Sequence, residues 1–282
     1  MLGDERYDLF RLYLANIEQY RMTKRAFGFA LAVLGLIAVV YLVVFEKNYS
    51  GLWLVFFTLL LVYMVFGEFL VGGMAFGPPE RIIKKAAKQK LKEPDSSDAG
   101  ELAAAAAKFL CIGNFTMCRE MLNKVFELKN VGVLRIMFAN TVLADLYRTE
   151  GKPDKSIKIL KSKVLRKKKG SSSYSMFIIG RAWLEKGDYQ KAIEALEEAY
   201  YYVREGHPGI PDLFKSGFRN REIRNIYRDA LQVFVPYYLG KAYYWAPGDN
   251  QETAAEHLNS AIVLCRNRHF RPLLKRDFTE KE

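Results

Sequence analysis

GRAWLEKGDYQKAIEALEEA, residues 180–199, sets Gly180, Trp183, Ala192, Leu196 and Ala199 at helical spacing on either side of a Gly187-Asp188-Tyr189 turn. Positions three and four apart share one face of a helix. The stretch therefore reads as two helices joined by a tight turn, with small residues where the backbones approach. The same frame recurs upstream through Leu143, Ala144, Tyr147, Gly151, Ser156 and Leu160. Before that it runs through Ala105, Ala106, Phe109, Gly113, Phe115, Cys118, Leu122 and Val125. Downstream it returns at Leu239, Gly240, Tyr243, Gly248, Ala254, Leu258 and Ala261. The turn glycines 113, 151 and 187 are 38 and 36 residues apart. Gly180 and Gly240 are 60 apart, so the surplus around residues 204–226 reads as a loop plus an extended helix.

A single helical pair cannot bury its apolar face, whereas stacked pairs share a continuous core, and about three are needed for stability. Four pairs over residues 99–266 meet that condition. The tail, residues 267–282, reads as a cap on the open end, with Pro272 stopping the helix and charges meeting water.

These small and large positions resemble the tetratricopeptide repeat, a helix-turn-helix unit of roughly 34 residues. The resemblance covers residues 99–266 and is most specific in the second and third units. It implies a concave groove lined by the first helix of each pair. That groove would present Phe138, Asp145 and Arg148 from the second unit, with Thr141 and Thr149; Tyr174, Phe177 and Arg181 from the third, with Leu184 and Glu185; and Phe234, Tyr237, Lys241, Tyr244 and Trp245 from the fourth. It also implies a protein or peptide partner. Tyr, Trp and Arg dominate interface energetics, so a guest with apolar and acidic residues suits this surface. Two segments of the same chain are alternative occupants: the insertion after Arg204 and the amphipathic amino-terminal helix. The clamp that grips chaperone carboxylates is set aside, because Ala103 and Ala107 stand where its first unit needs Lys and Asn.

The first 25 residues place Phe10, Tyr13, Leu14, Ile17 and Tyr20 on one helix face, with Arg11, Glu18, Arg21 and Lys24 around the rest. Such a helix either lies in a membrane interface or packs on the repeat domain. Residues 26–45 are uniformly apolar, and about 20 such residues cross a hydrocarbon core of about 30 Å. A polar break at residues 46–50 precedes a second apolar run to about Phe76, interrupted by Glu68. The expected fold is therefore all-α: a two-helix transmembrane hairpin within residues 26–77 (26–45 and 52–76), then a four-pair solenoid. A signal peptide fits poorly, because the apolar run exceeds a signal core and no small-residue cleavage site follows. Basic flanks on both sides of the hairpin, against Lys47 in its loop, predict both termini in the cytoplasm of a multi-pass protein in a cell membrane.

Residues 78–98 combine a Pro-Pro break, a basic run and a polar linker. Arg81, Lys84, Lys85 and Lys88, with Lys167, Lys168 and Lys169 after the second unit, form the expected contact with an anionic membrane surface. The formal net charge of +12 also admits nucleic acid, but a basic domain beside anionic lipid explains it more simply. A homo-oligomer stays open. Cys111, Cys118 and Cys265 are odd in number and lack CxxC spacing, so they read as buried thiols in a reducing compartment. His207, His257 and His269 have no ligand spacing. With no Gly-rich phosphate loop or nucleophile motif, the sequence points to a binding protein that uses no cofactor and no metal, rather than to an enzyme.

Overall fold

The computed structural model describes residues 9–44, 55, 58–59, 98–165, 172–205, 221–267, 269–276 and 278, and every regular element among them is helical. A long helix, α1 (Leu9–Val44), comes first. Four antiparallel pairs follow: α2 (Ala99–Cys111) with α3 (Phe115–Glu127); α4 (Val133–Thr149) with α5 (Pro153–Ile159), which runs into a π-helical turn at Leu160–Leu165; α6 (Ser173–Glu185) with α7 (Tyr189–Arg204); and α8 (Arg221–Trp245) with α9 (Gln251–Leu264). A short α10 (Arg271–Arg276) closes the described chain.

The turns within the first three pairs are copies of one another. Gly113, Gly151 and Gly187 adopt φ values of 74°, 69° and 75°, a left-handed conformation that glycine enters without a Cβ penalty. Each ends its helix with the same closing bond: Asn114 N to Phe109 O at 2.9 Å, Lys152 N to Tyr147 O at 2.9 Å, and Asp188 N to Trp183 O at 3.1 Å. These satisfy carbonyls that the helix end leaves without partners. The next helix is capped at once. Asn114 accepts from Met117 N at 3.1 Å and Asp188 from Lys191 N at 3.3 Å, while Pro153 opens α5.

Close approach within pairs falls where the sequence carries glycine. A Cβ on Gly180 would stand 2.5 Å from Leu196 Cγ and 3.3 Å from Ala192 O. One on Gly240 would stand 2.9 Å from Ala254 O, a backbone atom that cannot turn aside. Ala192, Leu196, Ala199, Ala254 and Ala261 are buried at these seams. In α8, Pro236 lies inside a 25-residue helix. Its missing N–H removes one ladder bond, but the helix continues through it.

The amino-terminal region corrects the expected architecture. Among the described residues, no helix is long and apolar enough to cross a membrane. The first apolar run lies in the second half of α1, the same helix whose start, through Phe10, Arg11, Tyr13 and Leu14, is buried in the solenoid. Phe29, Leu34, Leu36 and Ile37 are exposed there, while Gly35 is buried beside Leu59. The second apolar run lies outside the described residues apart from Val55, Thr58 and Leu59. The transmembrane hairpin, the multi-pass location and the topology that depended on them do not stand. Arg81, Lys84, Lys85, Lys88, Lys167, Lys168 and Lys169 lie outside the described residues.

Pro272 also acts differently from its reading. Helix α9 has ended at Leu264, and Pro272 is the second residue of α10. It fits there because a first-turn N–H has no intrahelical partner to lose. Phe270 and Leu274 are fully buried and Phe278 packs on Tyr237 and Tyr244 of the last pair.

Candidate functional site

The first helices α4, α6 and α8 present the residues assigned to the concave face, and the central ones are buried. Phe138, Asp145, Arg148, Tyr174, Phe177, Arg181, Phe234 and Tyr237 lie almost wholly out of solvent. They are covered by their own chain: Phe10, Arg11, Tyr13 and Leu14 of α1 are buried as deeply.

The aromatic part is built round Phe10. Its ring lies 4.8 Å from Phe177 and 5.6 Å from Phe234, in tilted and edge-on arrangements that suit the ring quadrupoles. Tyr13 stands 5.4 Å from Phe234 and 5.3 Å from Phe270, and its hydroxyl accepts from Arg266 N at 3.2 Å. Burial, with Cys265 close by, pushes the Tyr13 phenol well above its ordinary range. Arg181 stacks against this wall, its guanidinium carbon 4.4 Å from the Tyr238 centroid, 5.4 Å from Phe177 and 6.0 Å from Phe10. A desolvated guanidinium over ring faces gains about 2 kcal/mol, so Arg181 serves as much as packing as charge.

The polar part centres on Asp145. Arg148 donates from Nε to Asp145 Oδ1 at 3.0 Å, and Tyr174 donates its hydroxyl to Oδ2 at 3.1 Å. Arg11 brings Nη2 to 3.3 Å from Oδ1 and donates to the Asp145 carbonyl at 3.4 Å and to Thr149 Oγ1. Arg148 reaches in the other direction to Glu185. Burial, followed by the Asp145 charge, raises the Tyr174 phenol well above its usual value and keeps it a donor. A buried carboxylate is tolerated only when paired and hydrogen-bonded, and Asp145 is served from three sides.

The basic members of the groove suggested an acidic ligand. However, Arg148 is held by Asp145 and Glu185 and Arg181 stacks on three rings, and the charge that the Asp145 carboxylate meets from α1 is the Arg11 cation. The buried face of α1 reads aromatic-arginine-x-aromatic-leucine, Phe10-Arg11-x-Tyr13-Leu14.

Lys241, Tyr244 and Trp245 are not brought to this centre. Lys241 caps the Tyr237 ring at 5.7 Å, Tyr244 packs on Phe278 at 5.3 Å and edge-on to Trp245 at 5.7 Å, and Trp245 is 41 % exposed. They form the rim beside the tail. Two contributors escaped the repeat frame. Tyr227, 5.2 Å from Tyr174 and 6.4 Å from Phe10, stands at the edge of the inserted segment, and Tyr238 follows a framed position by one. A count continued back along α8 from Phe234 would have reached Tyr227 at two turns' distance.

The cysteines are free. Cys118 and Cys265 are buried, and burial pushes their thiols up to about 12 and about 11.

A tetratricopeptide-repeat family profile matches residues 173–202, which is the pair α6–α7. No curated protein and no solved structure matches the chain. The matched repeat and the all-helical stack mark a fold class whose members serve as protein-interaction scaffolds, and a protein partner follows from it.

Proposed function

We propose that the protein is an interaction scaffold whose concave groove receives a helix bearing an aromatic-arginine-x-aromatic-leucine face, and that α1 holds this groove in cis. The burial of Arg11 against Asp145 carries the reading. A core formed only for stability gains little from a buried ion pair, since well-packed apolar residues do as well. A receptor gains discrimination, because a guest without the cation leaves a buried carboxylate short of a partner. The helix-in-groove mode, read as anchors spaced along one face, is a common form of recognition.

The test uses the chain itself as probe. A fluorescein-labelled peptide of residues 7–22 is titrated against the intact protein and against a Phe10→Ala/Arg11→Ala variant. The variant should bind the peptide and rise in Tm when it is added, while the intact protein should bind poorly because the site is taken. A folded variant that neither binds nor gains stability would make the filled concavity a plain core and remove the receptor.

A further inference from the structure

Trp183 follows Arg181 by two residues and therefore lies about 200° round α6 from it, on the side away from α1. Three ammonium groups surround its indole: Lys191 Nζ at 4.7 Å from the ring centroid, Lys161 Nζ at 5.0 Å and Lys186 Nζ at 5.3 Å. They come from three places, α7, the π-helical turn after α5, and the turn that ends α6. Two of them also hold single carboxylates. Lys186 meets Asp154 at 2.5 Å and Lys191 meets Asp188 at 2.5 Å. Lys155, Lys158 and Lys163, on α5 and its π-helical turn, are exposed as well.

Like charges gathered at one ring repel, and an exposed cation–ring contact is worth only about 0.5–1 kcal/mol. Two carboxylates for three ammoniums leave an excess of positive charge at a partly exposed apolar edge. The π-helical turn that carries Lys161 is a local irregularity of a kind often found at functional positions.

We infer that this outer face is a second interaction surface, independent of the concave groove, and that it takes an acidic peptide segment whose carboxylates engage Lys161 and its neighbours beside Trp183. Three features favour carboxylates over other anions. Nucleic-acid bases need open aromatic faces for stacking, whereas here cations stand over the ring. Phosphates are gripped best by arginine forks, whereas this cluster is lysine throughout. Asp154 and Asp188 already bind its lysines one carboxylate at a time, which is the contact that an acidic side chain of a partner would repeat.

The experiment titrates a labelled octaglutamate peptide against the full chain and against Lys161→Glu and Lys129→Glu, two exposed changes that alter net charge equally. Binding should weaken with added salt, fall about tenfold in Lys161→Glu, and stay within about twofold of the parent in Lys129→Glu, as reversal of a direct partner differs from a distant screened charge. Absent binding, or equal loss in both variants, overturns the site. Oligothymidylate and phosphatidylserine vesicles are run in parallel. If either binds with the Lys161 dependence and octaglutamate does not, the acidic-peptide assignment is wrong.

Discussion

Arg11 and Asp145, 134 residues apart in the chain, form an ion pair of 3.3 Å with side chains only 1 % and 2 % exposed. Because Asp145 also serves Arg148 and Tyr174, its two sides are unequal. Asp145→Ala takes a buried carboxylate from two guanidinium groups at once and should cost about 3–5 kcal/mol, whereas Arg11→Met leaves the carboxylate two donors and should cost about 1–3 kcal/mol. Denaturant unfolding of both variants measures the difference. Equal costs would mean that Asp145 is not the centre of the network.

Overpacking at Gly180 gives a second expectation. Gly180→Ala drives a methyl to 2.5 Å from Leu196 Cγ and should cost about 1–3 kcal/mol. Leu196→Ala alone should cost about 2–5 kcal/mol through its cavity. Made together, the two should cost clearly less than their sum, because the new methyl enters the vacated space. Simple additivity in thermal or urea unfolding would place the two residues out of contact.

The seam around Gly180 was legible in the sequence because its determinants are local: small residues a helical step apart, a turn glycine, and a cap immediately after it. The apolar face of Phe10, Tyr13 and Leu14 was legible as well, but its partner was not. Its aromatic side beside an apolar run pointed first to a membrane interface, with packing on the repeat domain as the alternative, and nothing local links Arg11 to a carboxylate 134 residues away. The membrane hairpin was misread for a related reason. Hydropathy counts side chains without knowing that the helix carrying the first apolar run begins at Leu9, with Phe10, Arg11, Tyr13 and Leu14 buried in the solenoid. Lys241, Tyr244 and Trp245 were placed by a repeat frame that takes every unit as equal, whereas the tail occupies the end of the last one through Phe278.

His257 supplies a pH dependence. It stacks on Tyr243 with centroids 5.7 Å apart and planes 7° from parallel, and Tyr200 meets it edge-on at 5.4 Å. Burial lowers its pKa below the ordinary 6.5, against the opposing pull of Glu256 and Glu197. A depressed histidine is held neutral by the fold, so the unfolded chain binds more protons over this window. Its contribution is complete above pH 6.5 and is lost as the pH falls below that value. His257→Phe should flatten the slope of stability below about pH 6.5. Glu150 and Asp188 act lower on the scale. For Glu150 the upward effect of burial is outweighed by hydrogen bonds from Lys152 and Arg119, and Asp188 is lowered by its hydrogen bond from Lys191. Their contributions are present above the ordinary carboxylate values and are lost as the pH drops through their lowered ones. An unchanged slope in His257→Phe would contradict the assignment.

Thiol reactivity reports on the same core. With their thiols pushed up to about 12 and about 11, Cys118 and Cys265 carry almost no thiolate at pH 8, and the thiolate is the reactive form. Iodoacetamide followed by mass spectrometry should leave both unmodified in the native protein and label them after denaturation. Native labelling of Cys118 would be incompatible with its burial between the first two pairs.

The central claim is that α1 occupies the groove as an exchangeable guest and not as part of the solenoid core. Native-state hydrogen exchange, resolved for the amides of residues 9–14 and 173–185, tests it most directly, since an element that docks and releases opens at lower free energy than the elements that hold the fold. The account predicts that residues 9–14 exchange markedly faster than α6, and that excess peptide of residues 7–22 speeds their exchange further while leaving α6 protected. Equal, fully cooperative protection of both segments, unaffected by the peptide, would contradict it.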